Sequence, residues 1–156
     1  MTLVQRAKGK FVFGLSESEK ALLAAILDLY PRVTSSQTLA SRPGAAQLAR
    51  ETQALLEESL ADHRAENKKT LKKFLADPKR FAAHAGGWQL ALTKAESDWL
   101  LQILNDVRVG SWIILGSPEN YLEVLNKKNE RDFWAMEIAG RFESVLLEAL
   151  SGPWHA

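Results

Sequence analysis

A chain of 156 residues, 46% hydrophobic and 25% charged, has the make-up of one ordinary globular domain, which argues against both a disordered segment and a membrane protein. Its 20 Lys and Arg against 19 Asp and Glu leave no net field to draw nucleic acid or anionic lipid. The absence of cysteine removes disulfides, thiol nucleophiles and thiolate metal sites together.

At the amino terminus, Arg6, Lys8 and Lys10 interrupt the place where a signal peptide would carry its apolar core. No apolar run approaches the ~20 residues that span a bilayer. A cytoplasmic protein is expected. Phe11 and Phe13 alternate with Lys10 and Val12 after the Lys8-Gly9 turn signal, which suits a short extended segment or a ribbon with Leu3 to Arg6. Ser16 and Glu19 form a capping box, and Leu22, Leu23, Ile26, Leu27, Leu29 and Tyr30 supply the apolar surface of a first helix that Pro31 ends. Residues 32–44, rich in Ser and Thr, read as a flexible loop within one domain.

A second helix is expected from near Ala45, with Leu48, Thr52, Leu55, Leu56, Ser59 and Leu60 as a modest stripe. Glu57, Glu58, Asp62 and Glu66 then precede Lys68, Lys69, Lys72 and Lys73, and Leu71, Phe74 and Leu75 return to the core before a break at Asp77-Pro78. Gly86-Gly87 separates a short piece around Phe81 from the central helix, expected over 93–116. Thr93 and Glu96 form its capping box, and Gly116 with Pro118 stops it. Leu92, Trp99, Leu100, Ile103, Val107, Gly110 and Ile114 share one side, and Leu101, Arg108, Trp112 and Leu115 make a second, mixed stripe. After a brief helix within 117–126, the last helix is expected over 130–150. Trp134, Ile138, Phe142, Val145, Leu146 and Ala149 would pack on the central helix. Phe133, Met136, Gly140 and Leu147 form an opposite stripe that needs the amino-terminal elements, a ligand or a second chain to cover it. These elements predict an all-α, single-domain helical bundle with a short extended amino-terminal segment.

Trp99-Leu100, the Leu104-Asn105-Asp106-Val107-Arg108 run, Leu115-Gly116, a connector containing Tyr121 and a final amphipathic helix ending near Leu150 together resemble an uncharacterised bacterial helical family. This family, formerly a domain of unknown function, has actinobacterial members that include an oxidative-stress transcriptional regulator. The resemblance covers about half the chain by motif, chiefly its carboxy-terminal half, and implies a regulatory, non-enzymatic role.

Physically, Arg108 shares a side with Leu101, Leu104 and Trp112, so its guanidinium calls for a carboxylate from Glu130, Asp132 or Glu137. Asn105, Asp106 and Arg108 are thus expected in a buried polar network, the other reading being an anion or acidic-peptide site. His63, His84 and His155 lack the spacing of metal ligands, Gly86-Gly87 lacks the lysine of a phosphate loop, and Ser16, Ser18 and Ser111 have no histidine nearby in sequence. No metal, cofactor or enzymatic activity is expected. The leading expectation is a homodimeric interaction or regulatory module acting through protein contacts. The alternatives are a DNA-binding regulator using Lys68, Lys69, Lys72, Lys73, Lys79 and Arg80 on phosphates, and a small-molecule-binding bundle lined by some of the five tryptophans.

Overall fold

Lys8 and Gly9 both take positive φ (53° and 74°), the left-handed geometry of a two-residue hairpin turn, and join β1 (Thr2–Ala7) to β2 (Lys10–Leu15). Ala85 and Gly86 (48° and 80°) do the same between β3 (Phe81–His84) and β4 (Gly87–Thr93). β2 and β4 pair antiparallel, from Lys10 opposite Thr93 to Leu15 opposite Trp88, giving one four-stranded sheet of order β1-β2-β4-β3. The computed structural model from which this is read describes residues 1–33 and 48–152, so most of the loop expected over 32–44 lies outside the described residues.

The all-α helical bundle is therefore corrected to a mixed α/β fold, with an antiparallel sheet packed on helices. The second hairpin escaped notice for a physical reason. Its Ala82, Ala83, Gln89 and Ala91 have no preference for strands, and Leu92, which continues the Trp88, Leu90 alternation of a half-buried strand, also fits the stripe of the helix that follows.

Five helices occur among the described residues: α1 (Glu17–Leu27), α2 (Leu48–Ala76), α3 (Lys94–Ile114), α4 (Tyr121–Val124) and α5 (Glu130–Ser151). Both capping boxes are present, Ser16 with Glu19 at α1 and Thr93 with Glu96 at α3. Asn120 caps the short α4. Phe11, Phe13, Leu90 and Leu92 from the inner face of the sheet are fully buried against Leu23 and Leu27 of α1, Leu100 and Leu104 of α3 and Leu146 of α5 in one continuous core.

α3 and α5 make the most extensive helix pair, and α1 rests against both. The contact line of α5 carries Ala135, Ala139, Phe142, Leu146 and Ala149. Trp134, expected there, is 49% exposed instead. Periodicity locates a broad apolar stripe but not which edge of it faces inward; small side chains at 135 and 139 let the helices approach there. α5 has no cation in its own last turn, and Arg6 of β1 supplies one: its Nη2 donates to the carbonyls of Glu148 and Ala149 at 3.3 and 3.0 Å.

After α1 the chain crosses α3 at Gly110. A Cβ there would stand 2.4 Å from Arg32 Cβ and 2.8 Å from its carbonyl carbon, so only glycine admits the crossing. Gly110→Ala is expected to cost about 1–3 kcal/mol of stability by overpacking, with an unchanged slope in urea unfolding. A variant as stable as the parent would show that the crossing is not this tight.

Candidate functional site

The crossing segment, residues 30–33, is held by polar side chains on three helices. Asp106 Oδ1 on α3 accepts the backbone N–H of Arg32 at 2.7 Å and that of Val33 at 3.3 Å. The Arg32 guanidinium reaches on to Asp132 of α5 at 2.7 Å and to Ser111 at 3.2 Å. Ser111 is fully buried and donates its hydroxyl to the carbonyl of Val107 at 2.7 Å. On α2, Asn67 donates to the Tyr30 hydroxyl at 3.1 Å and accepts from Trp99 Nε1 at 3.2 Å, linking α1, α2 and α3.

The residues expected to form one polar network are divided between two. Asp106 holds the crossing segment. Asn105 is exposed and accepts from Arg108 at 3.0 Å, while Arg108 Nε approaches Glu143 Oε1 at 3.3 Å. None of Glu130, Asp132 and Glu137 is the partner of Arg108: Glu143 is, and Asp132 belongs to Arg32. The Arg108–Glu143 pair is an ionic contact rather than an aligned hydrogen bond, since Glu143 Oε1 finds no hydrogen-bond partner although it is buried. From sequence, Arg32 and Asn67 were not singled out, Tyr30 was read as apolar surface and Ser111 as a serine without a nearby histidine. The one signal toward them was Gly110, a glycine inside an otherwise apolar helix.

Of the stripe Phe133, Met136, Gly140 and Leu147, the first two are buried, at 9% and 7% exposure. Gly140 lies against the Arg108 side chain, and Leu147 is 51% exposed. Lys68, Lys69, Lys72, Lys73 and Lys79 are exposed on or after α2. Arg80 is instead ion-paired to Glu96 and stacked over Phe74. The tryptophans do not converge: Trp88 sits beneath Lys20, Trp99 on Asn67, Trp112 donates to the Pro118 carbonyl, and Trp134 stands in an open groove. Trp154 and His155 lie outside the described residues. Among the described residues there is no cluster of three or more His, Asp or Glu that could hold a metal, and no helix long and apolar enough to cross a membrane.

The groove runs between α1 and the start of α5, with an open volume of about 810 Å³. Leu22 and Ile26 of α1, with Leu29 just beyond its end, face Trp134 and Ile138 of α5 across it, and Lys127, Lys128 and Arg131 stand on its rim. Leu22 is 43% exposed, and the Trp134 ring is braced edge-on by Phe133 with centroids 5.3 Å apart. No acid lies within ion-pair distance of those three cations among the described residues. An apolar floor beside cations offers burial and charge pairing. No protein-family model, curated protein or solved structure matches the chain.

Burial pushes the Asp106 carboxyl above its ordinary range, against the opposing pull of the Arg32 and Val33 N–H groups and of Arg64. Burial likewise raises Glu143, against the pull of Arg108. Each group holds its proton to higher pH folded than unfolded. As pH climbs from the ordinary carboxyl value through the raised one, the folded state binds more protons and its stability falls. Glu143→Gln, which removes the ionisation, is accordingly expected to gain stability relative to the parent as pH rises through that window. Urea unfolding at a series of pH values checks this, and a difference that stays constant or reverses refutes it. Asp106→Ala strands two N–H groups and should cost about 1–3 kcal/mol.

Proposed function

We propose that this protein is a non-catalytic, cytoplasmic regulatory module whose α1/α5 groove takes an acidic amphipathic helix from a partner protein. The groove itself carries the reading. An exposed indole and an exposed leucine face each other across an apolar floor, a pattern that marks binding surfaces and accepts a helix through anchors at helical spacing. Trp134 has the character of a central anchor, a large rigid ring fixed by a neighbour and open on its other side. Lys127, Lys128 and Arg131 specify the sign of the occupant, because Arg32 already engages Asp132 and leaves Glu130 as the rim acid.

The test is an NMR titration with a synthetic helix bearing leucine on one face and glutamate on the other, beside a twin bearing lysine for glutamate. The acidic peptide is expected to shift amides of α1 and α5, and the basic twin to leave them unmoved. Leu22→Glu should weaken binding at least tenfold, about 1.4 kcal/mol, and Trp134→Ala comparably. Equal binding of both peptides, or shifts elsewhere, would remove the reading. Duplex DNA at about 0.15 M salt is expected to leave these amides unchanged.

A further inference from the structure

α2 meets the rest of the molecule along one side, where Leu71 and Phe74 are buried and Asn67 bonds to Tyr30 and Trp99. Its other side is open: Ala54, Glu58, Ala61, Ala65, Lys68, Lys69 and Lys72 are all exposed. From residue 57 onward the charges on this helix are segregated except for the half-buried Arg64, with Glu57, Glu58, Asp62 and Glu66 before Lys68, Lys69, Lys72 and Lys73. Four pairs one turn apart are consequently of like sign: Glu58 and Asp62, Asp62 and Glu66, Lys68 and Lys72, Lys69 and Lys73. Such pairs oppose an isolated helix. None of Glu57, Glu58, Lys68 and Lys69 has an ion-pair partner among the described residues.

We infer that the outer face of α2 pairs antiparallel with the same face of a second copy of this chain. A parallel partner would set acid on acid. An antiparallel one turns the segregation into complementarity and also opposes the two helix dipoles. The register follows from the small residues. With Ala61 opposite the partner's Ala65, Glu57 comes beside the partner's Lys68 on one flank and Glu58 beside the partner's Lys69 on the other. The two-fold axis repeats each pair, so four ion pairs flank a line of alanines narrow enough for close approach. The Lys72 stem lies over the partner's Ala54. The span from 54 to 72 is about 27 Å of helix, and a single helix face of that length buries less than the ~800 Å² per partner of a standard interface. The dimer is therefore weak, micromolar, and held largely by charge. It is independent of the α1/α5 groove, so either can fail without the other.

Sedimentation equilibrium on the full chain tests it. The parent is expected to dimerise at about 0.01 M salt and to dissociate near 1 M, where the screening length falls to about 3 Å. One variant carries Glu57→Lys and Glu58→Lys, so that all four flank positions are basic. A second carries Lys68→Glu and Lys69→Glu, so that all four are acidic. Each alone should be monomeric, with dimer affinity lowered at least tenfold, while their equimolar mixture forms a heterodimer in which every pair is restored. Circular dichroism of each confirms that α2 remains helical. A monomeric parent at low salt, a variant that still self-associates, or a mixture that stays monomeric each overturns the inference.

Discussion

The crossing of the chain over Gly110 is the contact on which the helical layer depends. A backbone segment pressed onto a helix buries N–H groups that the helix backbone has no free carbonyls to accept, and Asp106 accepts two of them. With its backbone held, Arg32 extends to Asp132 of α5 and to the buried Ser111. One short segment thereby fixes α1 against α3 and α3 against α5. The walls of the groove are α1 and α5, so its width follows from this contact.

The buried polar groups at the crossing and at the Arg108–Glu143 contact do more to select one arrangement than to deepen its stability. Asp106 and Glu143 are both buried enough that burial works against their charge. A helix pair slid by one turn would leave one of them charged and without its partner, which is far costlier than the net gain from the pairs themselves. Asn67 acts similarly for α2, because its amide is matched at one end to Tyr30 and at the other to Trp99.

The two open surfaces differ in physical character. The α1/α5 groove offers apolar area with a cationic rim, and affinity there would come from burying Leu22 and Trp134. The outer face of α2 has little to bury and much charge, in an order that a reversed copy of itself complements. The first surface is suited to a different chain and the second to the same one, and both lie on elements tied to α3 through the crossing segment or Asn67.

Where structure is local, the sequence by itself was sufficient. The capping boxes at Ser16 and Thr93, the Lys8-Gly9 turn, the break at Asp77-Pro78 and the bounds of α3 and α5 each depend on interactions within a few residues, and each was legible before any coordinates. Pairing across the chain was not. β4 is a central strand, paired with its hairpin neighbour β3 on one side and on the other with β2, which is distant in sequence; without the β2 pairing Trp88, Leu90 and Leu92 are a short apolar run that strand and helix share. The rotation of α5, which buries Phe133 and Met136 and exposes Trp134, depends on its small Ala135 and Ala139 being the residues that meet the helices beside it, and no period of 3.6 encodes that. Ionic partners are likewise set in space: Arg108 was matched to acids near the start of the last helix, while the fold gives it Glu143 and gives Asp132 to Arg32. Sequence determined the helices and their amino-terminal caps, because these are made by neighbours; tertiary structure alone decided the four-stranded sheet, the inward edge of α5 and the groove, because these are made by residues far apart in the chain.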